Sequence, residues 1–232
     1  MSNDSKGVAL VIGAGDATGG AIAKRFARGG YAACVVRRSA DKLQPLVEEI
    51  RAAGGQAHGY ACDARKEEEV QKLFEQVEAE VGPVEVLVFN IGANVPSSIL
   101  EETARKYFKI WEMACFSGFL AGREAARRMA GRGRGTILYT GATASLRGGR
   151  GFSAFAGGKH AVRALAQSMA RELGPQGVHV AHVICDGAID GVFTRERVGD
   201  PTALLEQDLI LKPDEIAQNY VWLHRQPRSA WT

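Results

Sequence analysis

Val8-Ala-Leu-Val-Ile12 followed by Gly13-Ala-Gly-Asp-Ala-Thr-Gly-Gly20 decides how this chain folds. Five consecutive apolar residues predict a strand buried on both faces, because a strand with one wet face would alternate. Gly13, Gly15 and Gly19 predict a tight turn, and an amphipathic helix runs from about Ala21 to Arg28. Strand, glycine turn and helix in that order bring free N–H groups and the positive end of a helix dipole to one point, a place suited to a pyrophosphate. A bare glycine motif carries little weight; this one gains it from its strand–turn–helix setting.

The same alternation continues outward. Strands are predicted over Tyr31–Val36, Gln56–Ala61, Val84–Phe89, Ile137–Thr140 and Val178–Ile184. Helices are predicted between them, over Ser39 (as N-cap) to Ala53, Lys66–Val81, Thr103–Met129 and Phe152–Leu173, with a last one over Asp214–His224. Phe108, Trp111, Cys115 and Phe119 recur on one face of the long fourth helix, while Asp186–Leu211 reads as irregular. Six strands alternating with helices imply an α/β fold, a doubly wound, Rossmann-like parallel sheet. No linker or repeat divides the chain, so residues 1–232 are read as a single domain.

Composition narrows the classes. The chain has 232 residues, 46% of them apolar, and a net charge of +3 with both signs interspersed, which gives no sign of nucleic-acid binding. Arg127-Arg128 and Arg132-Gly-Arg134 form a small basic cluster suited to a helix C-terminus. Cys34, Cys62, Cys115 and Cys185 show no CxxC spacing, and the five histidines show no metal-ligand pairing, so no metal is expected. The polar start Met-Ser-Asn-Asp-Ser-Lys and the lack of a membrane-length apolar run point to a cytoplasmic protein without membrane association.

Strand ends carry the candidate ligand residues, as doubly wound sheets require. Arg37-Arg38 end the second strand where a carboxylate would select NAD; two cations suit the extra phosphate of NADP, which is expected in preference to NAD. Asp16, in the glycine turn, weighs mildly against a nearby phosphate. Asp63 is placed either to accept from an adenine amino group or to cap a helix. Asn90-Ile-Gly92 is placed either to let the chain pass close to the cofactor or to make a structural turn.

Together with Lys159, these elements resemble the short-chain dehydrogenase/reductase family from about Val8 to about Leu223. The family's Thr-Gly-x-x-x-Gly-x-Gly is incomplete here: Gly13 and Gly19 match, Ile12 and Ala17 replace the Thr and the middle Gly, and Gly15 is additional. Asn90 and Gly92 match the family's turn after the fourth strand. Its catalytic Asn, Ser, Tyr and Lys fall on Cys115, Ala142, Phe155 and Lys159, so only the Lys is kept. The family's Pro-Gly after the sixth strand reads Asp186-Gly187, with Gly187 at the cofactor. The resemblance is to a divergent subgroup with Phe in place of Tyr. It implies a substrate lid over 187–212 and a homodimer or homotetramer built on the two long helices. The family continues into a last strand near Ser229-Ala-Trp-Thr232, so either that edge is short or the C-terminus is truncated.

In the family, Tyr exchanges a proton with the substrate oxygen and Ser donates a second hydrogen bond to it. Phe155 has no proton to give and Ala142 no donor. Losing a positioned acid costs roughly 10²–10⁴ in rate, and losing an oxyanion donor about 10²–10³. Ordinary alcohol/ketone exchange by the usual route is therefore not expected. Lys159 has a second family role, bonding the nicotinamide ribose, which needs neither partner. The expected function is an NADP(H)-binding oxidoreductase with a non-standard active site; the alternative is a silent dinucleotide-binding sensor or partner subunit. Tyr139, Thr140, Thr143, Ser145, Ser153 and Cys115 are the nearby groups that could replace the missing donor, with Thr143 and Ser145 best placed. Arg195 and Arg197 in the lid are either exposed loop residues or contacts for an anionic substrate.

Overall fold

Alternate residues of the first strand go to opposite layers. Val8, Leu10 and Ile12 enter one apolar core, Ala9 and Val11 the other, and all five are buried. That two-sided burial is what the unbroken apolar run requires. The computed structural model describes residues 5–231. Most of the polar start and Thr232 lie outside the described residues.

β1 (Val8–Ile12), β2 (Ala32–Arg37), β3 (Ala57–Ala61), β4 (Val84–Phe89), β5 (Gly135–Ala142) and β6 (Val178–Cys185) form one sheet in the order β3-β2-β1-β4-β5-β6. Every pairing is parallel. α3 (Glu67–Glu80), α5 (Ser117–Arg132) and α6 (Ser153–Leu173) cover one face through Phe74, Leu120 and Val162. α1 (Thr18–Arg28), α2 (Gln44–Ala52) and α9 (Pro213–Arg225) cover the other through Phe26, Ile50 and Tyr220. The basic cluster at the end of α5 is neutralised sideways: Arg128 and Arg132 reach Glu78 at 3.2 and 3.1 Å, and Arg134 reaches Glu85 at 3.0 Å.

Three details depart from expectation. Ser39 makes no side-chain cap; a 3₁₀ turn over Ala40–Leu43 precedes α2 instead. The fourth helix is interrupted between α4 (Ala104–Trp111) and α5 by a π turn over Glu112–Phe116. A π turn inserts one residue into the helical register. The aromatic stripe therefore continues through Phe116 rather than Cys115: exposed Phe108 and Phe119 and half-buried Trp111 and Phe116 stack at 6.1–6.3 Å between centroids. Cys115 turns into the core.

The stretch read as irregular holds α7 (Val192–Val198) and α8 (Thr202–Glu206). Short helices of five to seven residues leave too little periodicity to read. The stretch is tied down at its ends by a parallel bridge between Ile189 and Leu211 and by Leu211 N–H to Ala188 O at 2.8 Å. Beside β6 no further strand forms among the described residues; Trp231 stacks on His179 at 4.8 Å, and Arg228 bonds the carbonyls of Gly174 and Pro175.

Candidate functional site

Connections leave the sheet in opposite directions from β1 and β4, which opens a crevice beyond their C-terminal ends. Gly13 sits there at φ +91°, and an added Cβ would come within 2.9 Å of the Asn90 carbonyl. A Cβ on Gly19 would meet Gly13 O at 2.4 Å. These two positions require glycine for close backbone passage. Gly15 is different: nothing lies within 4 Å of its Cβ direction, because it faces the cavity. Asn90 closes the crossover from the other side, its N–H on Ile12 O at 2.8 Å and its Nδ2 on Gly13 O at 3.1 Å. Asn90 is thus a structural clamp, and both it and Gly92 line the crevice.

At the β1–β2 end, a pocket of about 200 Å³ is lined by Gly13, Arg37, Arg38, Asp63, Arg65 and Gly92. Asp63 does not cap α3, whose N-cap is Lys66. Its carboxylate is held by the Arg65 guanidinium at 2.8 and 2.6 Å, which keeps it below the usual carboxylate range. Arg65 is paired with Asp63 and, at 3.8 Å, with Glu112, so Arg37 and Arg38 supply the excess positive charge of this pocket. Asp16 is not among its lining residues; its carboxylate accepts the Val192 N–H at 3.1 Å and so ties α7 to the glycine turn.

The larger cavity, about 1000 Å³, runs from the glycine turn to β5, α6 and the segment from Gly187 to Val198. Lys159, on α6 and 4% exposed, points its ammonium at the strand ends. Nζ donates to Thr140 O at 2.7 Å and to Ile91 O at 3.2 Å, and lies 6.0 Å from the Phe155 ring centroid. Burial pushes its pKa down to about 8. Ala142, Phe155 and Gly187 line the same cavity, so Lys159 is brought together with the two residues that the resemblance sets at a Ser and a Tyr. Cys115 is not: it is buried in the π turn, its thiol pushed up by burial, while Met113 of that turn reaches the cavity.

The structure sorts the substitute donors. The Tyr139 hydroxyl is fully buried and donates to Gly118 O at 3.2 Å. Thr140 Oγ1 is 2.7 Å from the Tyr220 hydroxyl in the opposite core layer. Ser145 is also buried, receiving the Ala142 N–H at 3.1 Å, and neither it nor Ser153 lines the cavity. Thr143 does line it, and its hydroxyl donates to the Asp186 carboxylate.

Sequence reasoning missed several wall residues: Arg147 from the β5–α6 loop, and Val95, Val192 and Phe193. Single apolar residues in loops carry no periodicity. Cys185, which carries no motif in the sequence, also lines the cavity beside Ala142, its register partner; burial raises its thiol. Among the described residues no three His, Cys, Asp or Glu gather as a metal site, and no helix is long and apolar enough to cross a membrane.

The sheet order and the crevice define a Rossmann-like α/β protein with its ligand cleft at the strand-order reversal. A family model described as short chain dehydrogenase matches residues 7–201. A short-chain dehydrogenase/reductase of Armillaria gallica is 30% identical over 208 residues, covering 87% of this chain and 79% of that one. The crystal structure of a short-chain dehydrogenase from Rhodopseudomonas palustris superposes with a TM-score of 0.83 at 48% identity, over 97% of this chain and 95% of that chain. An actinorhodin polyketide ketoreductase variant, solved with NADPH, superposes with a TM-score of 0.90 at 27% identity, over 100% of this chain and 94% of that one. The chain belongs to the short-chain dehydrogenase/reductase family.

Proposed function

We propose that this chain binds NADP(H) and acts as an oxidoreductase on an activated acceptor, such as a conjugated double bond or an imine, through a non-standard active site. The observation that carries this is Lys159: a buried ammonium fixed on two strand-end carbonyls, in one cavity with the glycine turn, while Ala142 and Phe155 stand where hydroxyls would act.

The residues present fit the cofactor. The turn at Gly13, Gly15 and Gly19 offers backbone N–H groups and an open approach for a pyrophosphate. Arg37, Arg38 and Arg65 would hold the 2′-phosphate, with Asp63 engaged by Arg65 and so spared from repelling it. Gly92 and Gly187 keep the walls of the cleft low, and Lys159 would bond the nicotinamide ribose. The cofactor supplies a hydride to the substrate when bound.

Phe155 and Ala142 make the substrate side of Lys159 apolar, so the protein provides no acid there for a ketone oxygen. An activated acceptor meets that limit, because its proton comes from water or is carried by a protonated imine. Of the substitute donors that line the cavity, Thr140 is engaged by the Tyr220 hydroxyl, which leaves Thr143, bonded to Asp186, to orient the acceptor. The residues from Gly187 to Lys212 close over the site as a lid, tied by Asp16 to the glycine turn. The partly exposed aromatic stack on α4 and α5 suits pairing with a second copy, which light scattering would read as a dimer or tetramer.

The decisive test is NADPH oxidation by the unmodified protein across enones, imines and ketones. Turnover of enones or imines with ketones inert is expected. Tight NADPH binding with uniform inactivity would leave a binding protein, and no binding at millimolar NADPH would remove both readings.

A further inference from the structure

Four charged side chains line the large cavity: Asp16, Arg147, Lys159 and Arg197. Two of them are occupied within the fold, Asp16 by the Val192 N–H and Lys159 by two carbonyls. The guanidinium groups of Arg147 and Arg197 make no hydrogen bond or ion pair among the described residues. Other arginines of the chain are paired instead. Arg195, two residues before Arg197, is held by Asp190 at 2.7 and 2.8 Å. Arg65 is held by Asp63, and Arg128 and Arg132 by Glu78. Arg37, Arg38 and Arg150 are likewise unpaired among the described residues, but among the side chains that line the large cavity Arg147 and Arg197 are the two charged groups left for a ligand.

Arg197 is also set in place. Its guanidinium carbon lies 3.6 Å from the centroid of the Phe193 ring. Stacking fixes the plane of the fork and leaves its N–H edges available, the arrangement that receives a carboxylate in two parallel hydrogen bonds. Arg147 arrives from the β5–α6 loop, with β4 between β5 and β1, while Arg197 arrives on α7, whose first residue Val192 is bonded to Asp16 of the glycine turn, so the two enter the cavity from different walls. The walls between are apolar, from Val95, Phe152, Phe155 and Phe193.

Resting on the oxidoreductase reading above, we propose that the substrate is an apolar molecule bearing an anionic group of carboxylate type, and that Arg147 and Arg197 receive that group. The anion is bound at the lid and β5 loop, the apolar body lies along the phenylalanines, and the reacting carbon is presented toward Lys159.

The test uses the full chain saturated with NADPH, and calorimetric titration with three apolar carboxylates, cinnamate, benzoate and octanoate, each against its primary amide. At least one acid is expected to bind tenfold or more tighter than its amide. Arg147→Gln and Arg197→Gln should each weaken that acid by about 10- to 100-fold, the range for a hydrogen bond to a charged group, and leave the amide unchanged. The NADPH dissociation constant of each variant, from fluorescence titration, should move by less than threefold. Equal binding of acid and amide throughout the series, or a preference that survives both substitutions, overturns the proposal. A fall in NADPH affinity matching the fall for the acid in Arg197→Gln also overturns it, by assigning that arginine to the cofactor. Should the unmodified chain fail to bind NADPH, the oxidoreductase reading fails instead, and the same acid–amide series on the ligand-free chain still decides the anion site.

Discussion

The two ends of the cleft differ in what they have kept. At the β1–β2 end, Gly13 and Gly19 sit where a Cβ would collide with backbone, and Arg37, Arg38 and Arg65 outnumber the one carboxylate among them. At the β5–α6 end, the same kind of cavity wall presents Ala142 and Phe155, methyl and phenyl groups with nothing to donate. Lys159 belongs to both, since it sits on α6 yet is anchored on the carbonyls after β4 and within β5. Holding a dinucleotide and delivering a proton are therefore separable tasks: the first uses backbone shape and fixed cations, the second a single hydroxyl of suitable acidity. A chain can lose the second without disturbing the first.

Restoring the hydroxyls is the most severe way to break that contrast. Phe155→Tyr with Ala142→Ser places a phenol beside Lys159 and a donor opposite it. Ketone reduction, followed as NADPH oxidation, should rise by roughly 10²–10⁴ over the parent, while the NADPH dissociation constant stays within threefold. A double variant as inert as its parent would mean that the β5–α6 end has changed shape as well as chemistry.

Removing the shared residue comes next. Lys159→Met should weaken NADPH by about 10- to 100-fold in a fluorescence titration, as expected for loss of a charged hydrogen-bond donor. Phe155→Ala should move it by less than threefold. Comparable losses in both would dissolve the distinction between the two ends.

A smaller effect tests the cationic end alone. Arg37→Gln with Arg38→Gln should weaken NADPH about tenfold or more and leave NADH within twofold, because only the former has a 2′-phosphate to lose. Equal weakening of both would place these arginines at a phosphate the two cofactors share.

The fold was legible in the sequence where it rests on long patterns. Unbroken apolar strands at Val8–Ile12 and Val84–Phe89, set between amphipathic helices, admit little besides a parallel sheet covered on both faces. The glycine turn was legible for the same reason, through its place between strand and helix. What escaped was short or compensated. The π turn at Glu112–Phe116 shifts the register by one residue, so the stripe read through Cys115 runs through Phe116. Asp63 looked like an adenine contact or a cap, and only the folded chain shows Arg65 holding it. Among the substitute donors, sequence spacing put Thr143 and Ser145 on equal terms. The 3₁₀ turn buries one under the loop and leaves the other at the cavity wall. Arg147 gave no signal at all, because a loop arginine has the same appearance in sequence whether it meets water or a ligand.

The mildest change, a shift of pH, sharpens the comparison by titrating the one residue both ends share. Burial lowers Lys159 to about 8, below its ordinary 10.5. In the ligand-free protein the buried ammonium thus costs stability at all pH values below about 8. That cost is relieved as pH rises from 8 toward 10.5, since the unfolded chain keeps its proton there and the folded one does not. Cofactor binding has the opposite preference, because an anionic dinucleotide with ribose hydroxyls favours the ammonium. Its affinity should be flat below about pH 7 and fall above pH 8, by about tenfold between pH 7 and pH 9 if only the charged form binds. Lys159→Met should bind weakly with no slope across that window, whereas the Arg37/Arg38 double variant, altered at the other end, should keep the parent's slope at lower affinity. A slope that persists without Lys159 would assign the titration to another group and detach Lys159 from the cofactor.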